Sequence, residues 1–322
     1  MTKPNQIWKS KLSPFVRRHT AFVYFLVLFA LCLIFIPNFR SLNNINSLIR
    51  QSAVPIIRAI AVTFILVLGN VDLSLGYTVG LTSVIIGSAM LSGVPVWAAL
   101  ILGLAVGAVI GALNGFFVAY LDIPSFIATF GSGLLAYGVG NIYSRGEVYA
   151  NLPEQFLGLV RTQFLGYPLS VTYAVLLVVA AIFLFKKTSY GRSLISTGLN
   201  RRAAYLSGNR VKSLTLSSFV VAGVLASFTA ILLTGRVDSG QMVLGGLDKY
   251  TFEGVTACVL AGTSLLGGKV NIPGCFFAAM IILMIENAMT IFQVNIYFFK
   301  PLLGMIVLLA VLIDRLKERS AN

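Results

Sequence analysis

The chain has 322 residues, 57% of them apolar and 11% charged, with a mean hydropathy of +0.91. A soluble domain of this length needs far more polar surface, and the apolar runs are continuous rather than alternating, which argues against a β-barrel. The net charge of +14 lies between apolar runs, so bilayer topology accounts for it better than nucleic acid, and no nucleic-acid partner is expected.

Runs long enough to cross a hydrocarbon core of roughly 30 Å recur along the chain, so the fold class is an all-α polytopic membrane protein. Ten spans are expected near 20–37, 52–69, 76–92, 95–121, 124–142, 168–185, 213–234, 251–266, 273–294 and 297–314. The basic head MTKPNQIWKSKLSPFVRRHT resembles the start of a signal peptide, but no small-residue cleavage site follows the run that ends CLIFIPNFRSLNN. The segment 1–19 therefore reads as a cytoplasmic N-terminal segment with His19 at the interface, and the first run as a retained helix. After the second span, VLGNVDLSLG places Asp72 between apolar flanks, with Gly69 and Gly76 beside it. Its carboxylate suits an N-cap on the third span, and a direct role in transport is the alternative.

The fourth span repeats glycine at Gly103, Gly107, Gly111 and Gly115. That spacing lets two helix backbones approach closely, within the chain or between two copies. In the fifth span, GSGLLAYG carries part of a dinucleotide-binding glycine pattern, but Ala136 takes the last glycine's place and packing is the reading. The loop 186–212 carries Lys186, Lys187, Arg192, Arg201, Arg202, Arg210 and Lys212 and no acid. Within it, Gly198 can end one element, Asn200 can cap a short helix, Ala203, Ala204 and Leu206 offer a small face, and Gly208 can stop the helix. Near the eighth span, VLAGTSLLGGK ends like a phosphate-binding loop, yet Thr263 stands where its first glycine belongs and Val270 where Ser or Thr belongs, so ATP is not bound that way. Shifted by 192 positions, Val67-Leu68 falls on Val259-Leu260 and Gly76 on Gly268, a faint internal repeat that marks both turns as glycine-broken helices.

Cys32, Cys258 and Cys275 lie in apolar runs without disulfide or metal-ligand spacing, and no hydrolase or metalloprotease motif is present. The chain is thus expected to be non-catalytic, with no metal and no cofactor of its own. Asp72, Glu253 and Glu286 read as scattered intramembrane acids, a poor relay for a proton-driven carrier. Placing the head, the 186–212 loop, Lys269 and the tail 315–322 in the cytoplasm puts the 24 Lys and Arg at two to one inside, which predicts both termini in the cytoplasm and one transmembrane domain over 20–314.

Three stretches, GNVDLSLG, TSYGRSLISTGLNRRAAYLSG and LAGTSLLGGKVNIPGCFFAA, together resemble the permease subunits of ribose-type sugar ABC importers, in the wider group that includes branched-chain amino acid permeases. The resemblance runs from about residue 40 to 314. Its motif positions are Gly69, Asp72, Ser74 and Gly76; then Thr188, Gly191, Arg192, Gly198, Asn200, Ala203, Ala204, Ser207 and Gly208; then Thr263, Ser264, Gly267 and Gly268. Asn70, Asn209, Ala261 and the Lys269-Val270-Asn271 run depart from the family pattern. The resemblance implies a coupling helix in the 186–212 loop that docks on a separate ATP-binding subunit, which uses the ATP. The first and third motifs are implied to be translocation-path residues or structural turns. Further implied are a second permease chain, identical or paralogous, an extracytoplasmic solute-binding protein, a sugar substrate and a bacterial inner-membrane location. A same-superfamily permease for branched-chain amino acids or nucleosides, a secondary transporter or channel, and a merely solvated basic loop are the competing readings.

Overall fold

In the computed structural model, residues 20–246, 248–306 and 308 are described; the head with His19, the end of the tenth expected span and the tail fall outside them. The chain opens with α1 (Thr20–Phe35) and a 3-10 turn, followed by α2 (Leu42–Leu66), α3 (Leu75–Leu91), α4 (Val96–Tyr120) and α5 (Ser125–Ser144). An outer loop holds β1 (Tyr149–Ala150), the amphipathic α6 (Glu154–Arg161), and the hairpin β2 (Gln163–Phe164) and β3 (Tyr167–Pro168). Then come α7 (Leu169–Lys187), α8 (Ser189–Leu199), α9 (Arg201–Leu206), α10 (Val211–Val237), β4 (Ser239–Gly240), a 3-10 turn over Met242–Gly245, α11 (Asp248–Leu260) and α12 (Ile272–Ile291). A last helical stretch occupies 299–306. Among the described residues, α2, α4, α7, α10 and α12 are long and apolar enough to cross a membrane, while α1 and α3 are shorter apolar helices.

Two expected boundaries move. α2 begins ten residues before the expected 52, because Ser41 Oγ accepts the Asn44 amide and starts the helix in its polar segment. Asn44 and Asn287 then exchange side-chain hydrogen bonds of 3.1 and 2.9 Å between α2 and α12, which satisfies both amides. α11 stops at Leu260 rather than 266, since Gly262, Gly267 and Gly268 all adopt positive φ.

α2 and α10 form the buried centre; α4 and α7 keep a broad apolar face outward. Lipid gives no hydrophobic drive to join helices, so close fit and hydroxyl pairs do it. Thr82–Ser227 at 2.8 Å and Ser83–Thr234 at 2.7 Å bind α3 to α10. The glycine stripe of α4 is spent inside the chain. A Cβ at Gly107 would strike the Gly223 carbonyl, one at Gly111 the Phe219 carbonyl and one at Gly115 Leu216, all on α10, while Gly103 faces Ile86 of α3. Gly111→Leu is expected to cost at least about 1–3 kcal/mol by forcing these backbones apart. Thermal unfolding and membrane abundance should fall with it, whereas Gly131→Leu, with nothing within 4 Å, should change neither.

At one end of the bundle the loops fold down on it. β1 pairs antiparallel with β4, Leu152 donates to Asp238 Oδ1 at 2.9 Å, and Arg161 Nε donates to the Gly235 carbonyl at 2.9 Å. Phe156, Leu157 and Val160 of α6 are buried against this end.

Candidate coupling junction and polar core

The α2–α3 connection is unwound backbone inside a helical bundle, where each N–H must find a partner. Gly69 turns the chain with φ +71°. The Val71 amide donates to Ser125 Oγ at 3.2 Å and the Leu73 amide to Thr129 Oγ1 at 3.0 Å, both on α5. Asp72 is buried. Its Oδ1 accepts the Ser74 amide at 2.8 Å and the Ser74 hydroxyl at 2.6 Å. Ser74 in turn accepts from Asn114 of α4 at 2.8 Å, and Ser132 donates to Asn114 Oδ1 at 2.6 Å. The expected helix N-cap is corrected: Ser74, not Asp72, precedes α3, and the carboxylate closes the turn before the helix instead. Asp72 Oδ2 has no hydrogen-bond partner among the described residues. Gly76 lies elsewhere, with its carbonyl pressed against Gly245 of the second 3-10 turn.

The α11–α12 connection is built the same way. The Thr263 amide donates to the Cys258 carbonyl at 2.9 Å, and Thr263 Oγ1 lies 3.6 Å from Cys275 Sγ. Ser264 Oγ accepts the Leu266 amide at 3.2 Å. Asn271, one of the departures from the motif, caps α12 by accepting the Gly274 amide at 3.1 Å and ties back by donating to the Ala261 carbonyl at 2.8 Å.

The basic loop folds into two helices. Thr188 Oγ1 caps α8 by accepting the Gly191 amide at 3.1 Å, and Gly191 fits against the Leu184 carbonyl where α7 turns into α8. Arg192 is exposed and donates to the Lys187 carbonyl at 3.2 Å. Asn200 Oδ1 caps α9 by accepting the Ala203 amide at 2.9 Å; Ser207 Oγ donates to the Ala203 carbonyl at 2.9 Å, and Gly208 ends the helix with φ +86°. Asn209, a second departure, donates to Ser196 Oγ at 3.4 Å and joins the end of α9 to α8. The expected small face is only partly outward: Ala204 is buried within this chain, while Leu199, Tyr205 and Leu206 are 70%, 70% and 76% exposed.

These three segments converge. The Gly268 amide donates to the Val67 carbonyl at 2.8 Å. A Cβ on Gly198 would strike that same carbonyl, and one on Gly267 would sit 2.8 Å from the Gly69 nitrogen and 3.0 Å from the carbonyls of Gly198 and Val67. Gly69 faces the Leu266 carbonyl. Gly198 therefore does not stop a helix by a left-handed turn, as expected; it lies in the last turn of α8 and allows backbone contact with both broken connections. Gly69, Gly198, Gly267 and Gly268, far apart in sequence, make one junction at the end of the bundle where α2 and α11 terminate and α12 begins.

The acids expected to be scattered are in part gathered at the opposite end. Arg58 of α2 pairs with Glu253 of α11, and Lys249 reaches Glu286 of α12 at 2.5 Å and Glu253 at 3.4 Å. Sequence reading missed this group. The available signal was Arg58 itself, a cation in the middle of an apolar run, where a partner is required.

The chain matches the family described as branched-chain amino acid transport system / permease component over residues 44–313. It is 32% identical over 299 residues to the ribose import permease protein RbsC of Escherichia coli (strain K12), covering 91% of this chain and 92% of that one. It is 29% identical over 328 residues to the galactose/methyl galactoside import permease protein MglC of Haemophilus influenzae, covering 96% and 97%, and 33% identical over 316 residues to the probable ABC transporter permease protein YphD of Escherichia coli (strain K12), covering 97% and 95%. No solved structure matches. With broken helices around a polar core, apolar spans and a family match over most of its length, the chain is a multi-pass membrane protein that belongs to the branched-chain amino acid transport system / permease component family.

Proposed function

We propose that the chain is the membrane-spanning subunit of an ATP-driven bacterial inner-membrane importer that carries a sugar or related polyhydroxylated solute into the cytoplasm. Ten spans place both termini and α8–α9 in the cytoplasm. A second permease chain completes the path, an extracytoplasmic solute-binding protein delivers the solute, and a separate ATP-binding subunit hydrolyses the nucleotide. The observation that carries the reading is the junction: α8 ends against the Val67 carbonyl, which also accepts from Gly268. A push on α8–α9 from a partner therefore reaches both broken connections through backbone contact, with no soft side chain between. Asp72, Ser74, Asn114 and Ser132 hold one of those connections, so its movement reshapes the interior. This is how hydrolysis on another subunit is converted into alternating access. The similarity to ribose and galactose import permeases supports a sugar as the solute.

The test is reconstitution in proteoliposomes with the ATP-hydrolysing subunit and the binding protein. Sugar uptake that requires ATP supports the proposal; uptake driven by an ion gradient without ATP would replace it with a secondary carrier. Orientation has its own test. The native cysteines Cys32, Cys258 and Cys275 are buried, so they leave little labelling background. A cysteine at exposed Gln155 of α6 should react with a membrane-impermeant thiol reagent in intact cells, and one at exposed Ser207 should react only after lysis. The reverse pattern inverts the topology.

A further inference from the structure

The charged group at the end of the bundle opposite the junction lines a cavity of about 180 Å³, bounded by Gln51, Arg58, Arg236, Lys249, Tyr250 and Glu286 among others. The middle of α2, the end of α10, the second 3-10 turn, the start of α11 and the end of α12 meet there. We infer that this cavity binds the carboxylate of an acidic monosaccharide in transit, so that the transported solute is a sugar acid rather than a neutral sugar. The inference rests on the sugar-importer reading above and names the solute class for that path.

Charge balance is the first argument. Among the described side chains, the group holds three cations, Arg58, Arg236 and Lys249, against two carboxylates, Glu253 and Glu286. Arg58 and Lys249 are paired with those carboxylates, whereas Arg236 makes no ion pair among the described residues. Among the described side chains one positive charge is left over, on the exposed Arg236, beside a half-open cavity. An unpaired guanidinium at a half-open cavity is free to pair with an arriving solute, and a monoanion is its natural counter-charge. A set of ion pairs serving only to latch helices together has no need of the third cation or of the space.

The walls supply the second argument. Arg58 is buried, lies over the Tyr250 ring at 5.2 Å and keeps its Nε without a hydrogen-bond partner. A guanidinium held beside a ring with a free N–H is a ready donor to a carboxylate or hydroxyl. Pro55 lies inside α2 and has no N–H to donate to the Gln51 carbonyl one turn back, and both residues line the cavity, which gives this wall a carbonyl without its usual helical donor. Size is the third argument. The volume equals that of roughly six waters, which suits one small polar solute and falls short of drug-sized pockets.

The experiment compares matched pairs on the purified full-length permease in lipid nanodiscs. Thermal unfolding is followed against sodium D-galacturonate and D-galactose, and against sodium D-glucuronate and D-glucose, with sodium acetate and sodium chloride at equal ionic strength. The sugar acids should raise the unfolding temperature saturably, and their neutral partners and the simple salts should not at the same concentration. Arg236→Gln should weaken the effect at least tenfold. Glu286→Gln, which removes a competing carboxylate and leaves Lys249 with Glu253 as its one carboxylate among the described residues, should keep or strengthen it, an opposition that general loss of folding does not produce. Equal stabilisation by neutral sugars overturns the inference, as does equal stabilisation by acetate or chloride, which would make this an anion site without sugar. If ATP-dependent uptake in the whole transporter accepts neutral sugars and refuses acids, the inference falls and the importer reading stands; if it refuses both and accepts amino acids, the sugar reading falls as well.

Discussion

Gly198→Leu is expected to abolish ATP-dependent uptake. Even Gly198→Ala should lower it strongly. A Cβ at this position meets the Val67 carbonyl and stands 2.5 Å from the Gly268 nitrogen, the two ends of one hydrogen bond. Both obstacles are backbone, so no rotamer change relieves them. Overpacking costs about 1–3 kcal/mol and the lost hydrogen bond about 1 kcal/mol more. The cost falls on the contact that joins α8 to the two broken connections, while the apolar core of α2 and α10 is untouched. The alanine variant should therefore insert, retain its ATP-hydrolysing partner and hydrolyse ATP with little sugar movement. Gly138→Ala on α5, with nothing within 4 Å, is the matched control and should transport normally. Full uptake by Gly198→Ala at normal abundance would refute the junction as a transmitter.

The second large effect concerns the outward face of α9. Leu206→Glu should leave the permease at normal abundance and reduce capture of the ATP-hydrolysing subunit at least tenfold, a difference of about 1.4 kcal/mol. Leu206 is 76% exposed, so a charge there costs the isolated chain little. An apolar anchor seated in a partner's groove is instead among the most costly positions to alter. Ala204→Arg should behave differently. Ala204 is buried in its own chain, so arginine there should lower abundance before docking is tested. Two positions on one short helix thus separate folding from docking. If Leu206→Glu captures the partner as well as the parent chain, α9 is a solvated loop helix.

Nearly every element of the bundle was readable from hydropathy, because a span must satisfy its own backbone and its apolar run announces it. The caps at Asn200 and Gly208 were readable for the same local reason. What the sequence did not show is which glycines turn and which only make room. Gly198 and Gly208 are alike on paper, yet Gly208 has φ +86° and Gly198 sits in ordinary helix against a foreign carbonyl. Ala203 and Ala204 likewise differ only by the 100° step between successive helix residues, which sends one outward and one inward. The pairing of Arg58 with Glu253 spans most of the chain and had no local signal beyond an isolated charge. Departures from the family pattern carried structure too: Asn271 caps α12, and Asn209 ties α9 to α8.

The fit of α4 against α10 also orders how the protein is made. α4 leaves the ribosome well before α10, so its glycine groove enters lipid unfilled. A helix can wait in that state, since its peptide groups already bond to one another. The α2–α3 connection cannot, because the amides of Val71 and Leu73 depend on Ser125 and Thr129 of a helix not yet synthesised when α3 emerges. The insertion machinery is therefore expected to shelter that connection until α5 arrives, while the groove of α4 waits for α10 and Arg58 of α2 waits longer still, for Glu253 of α11.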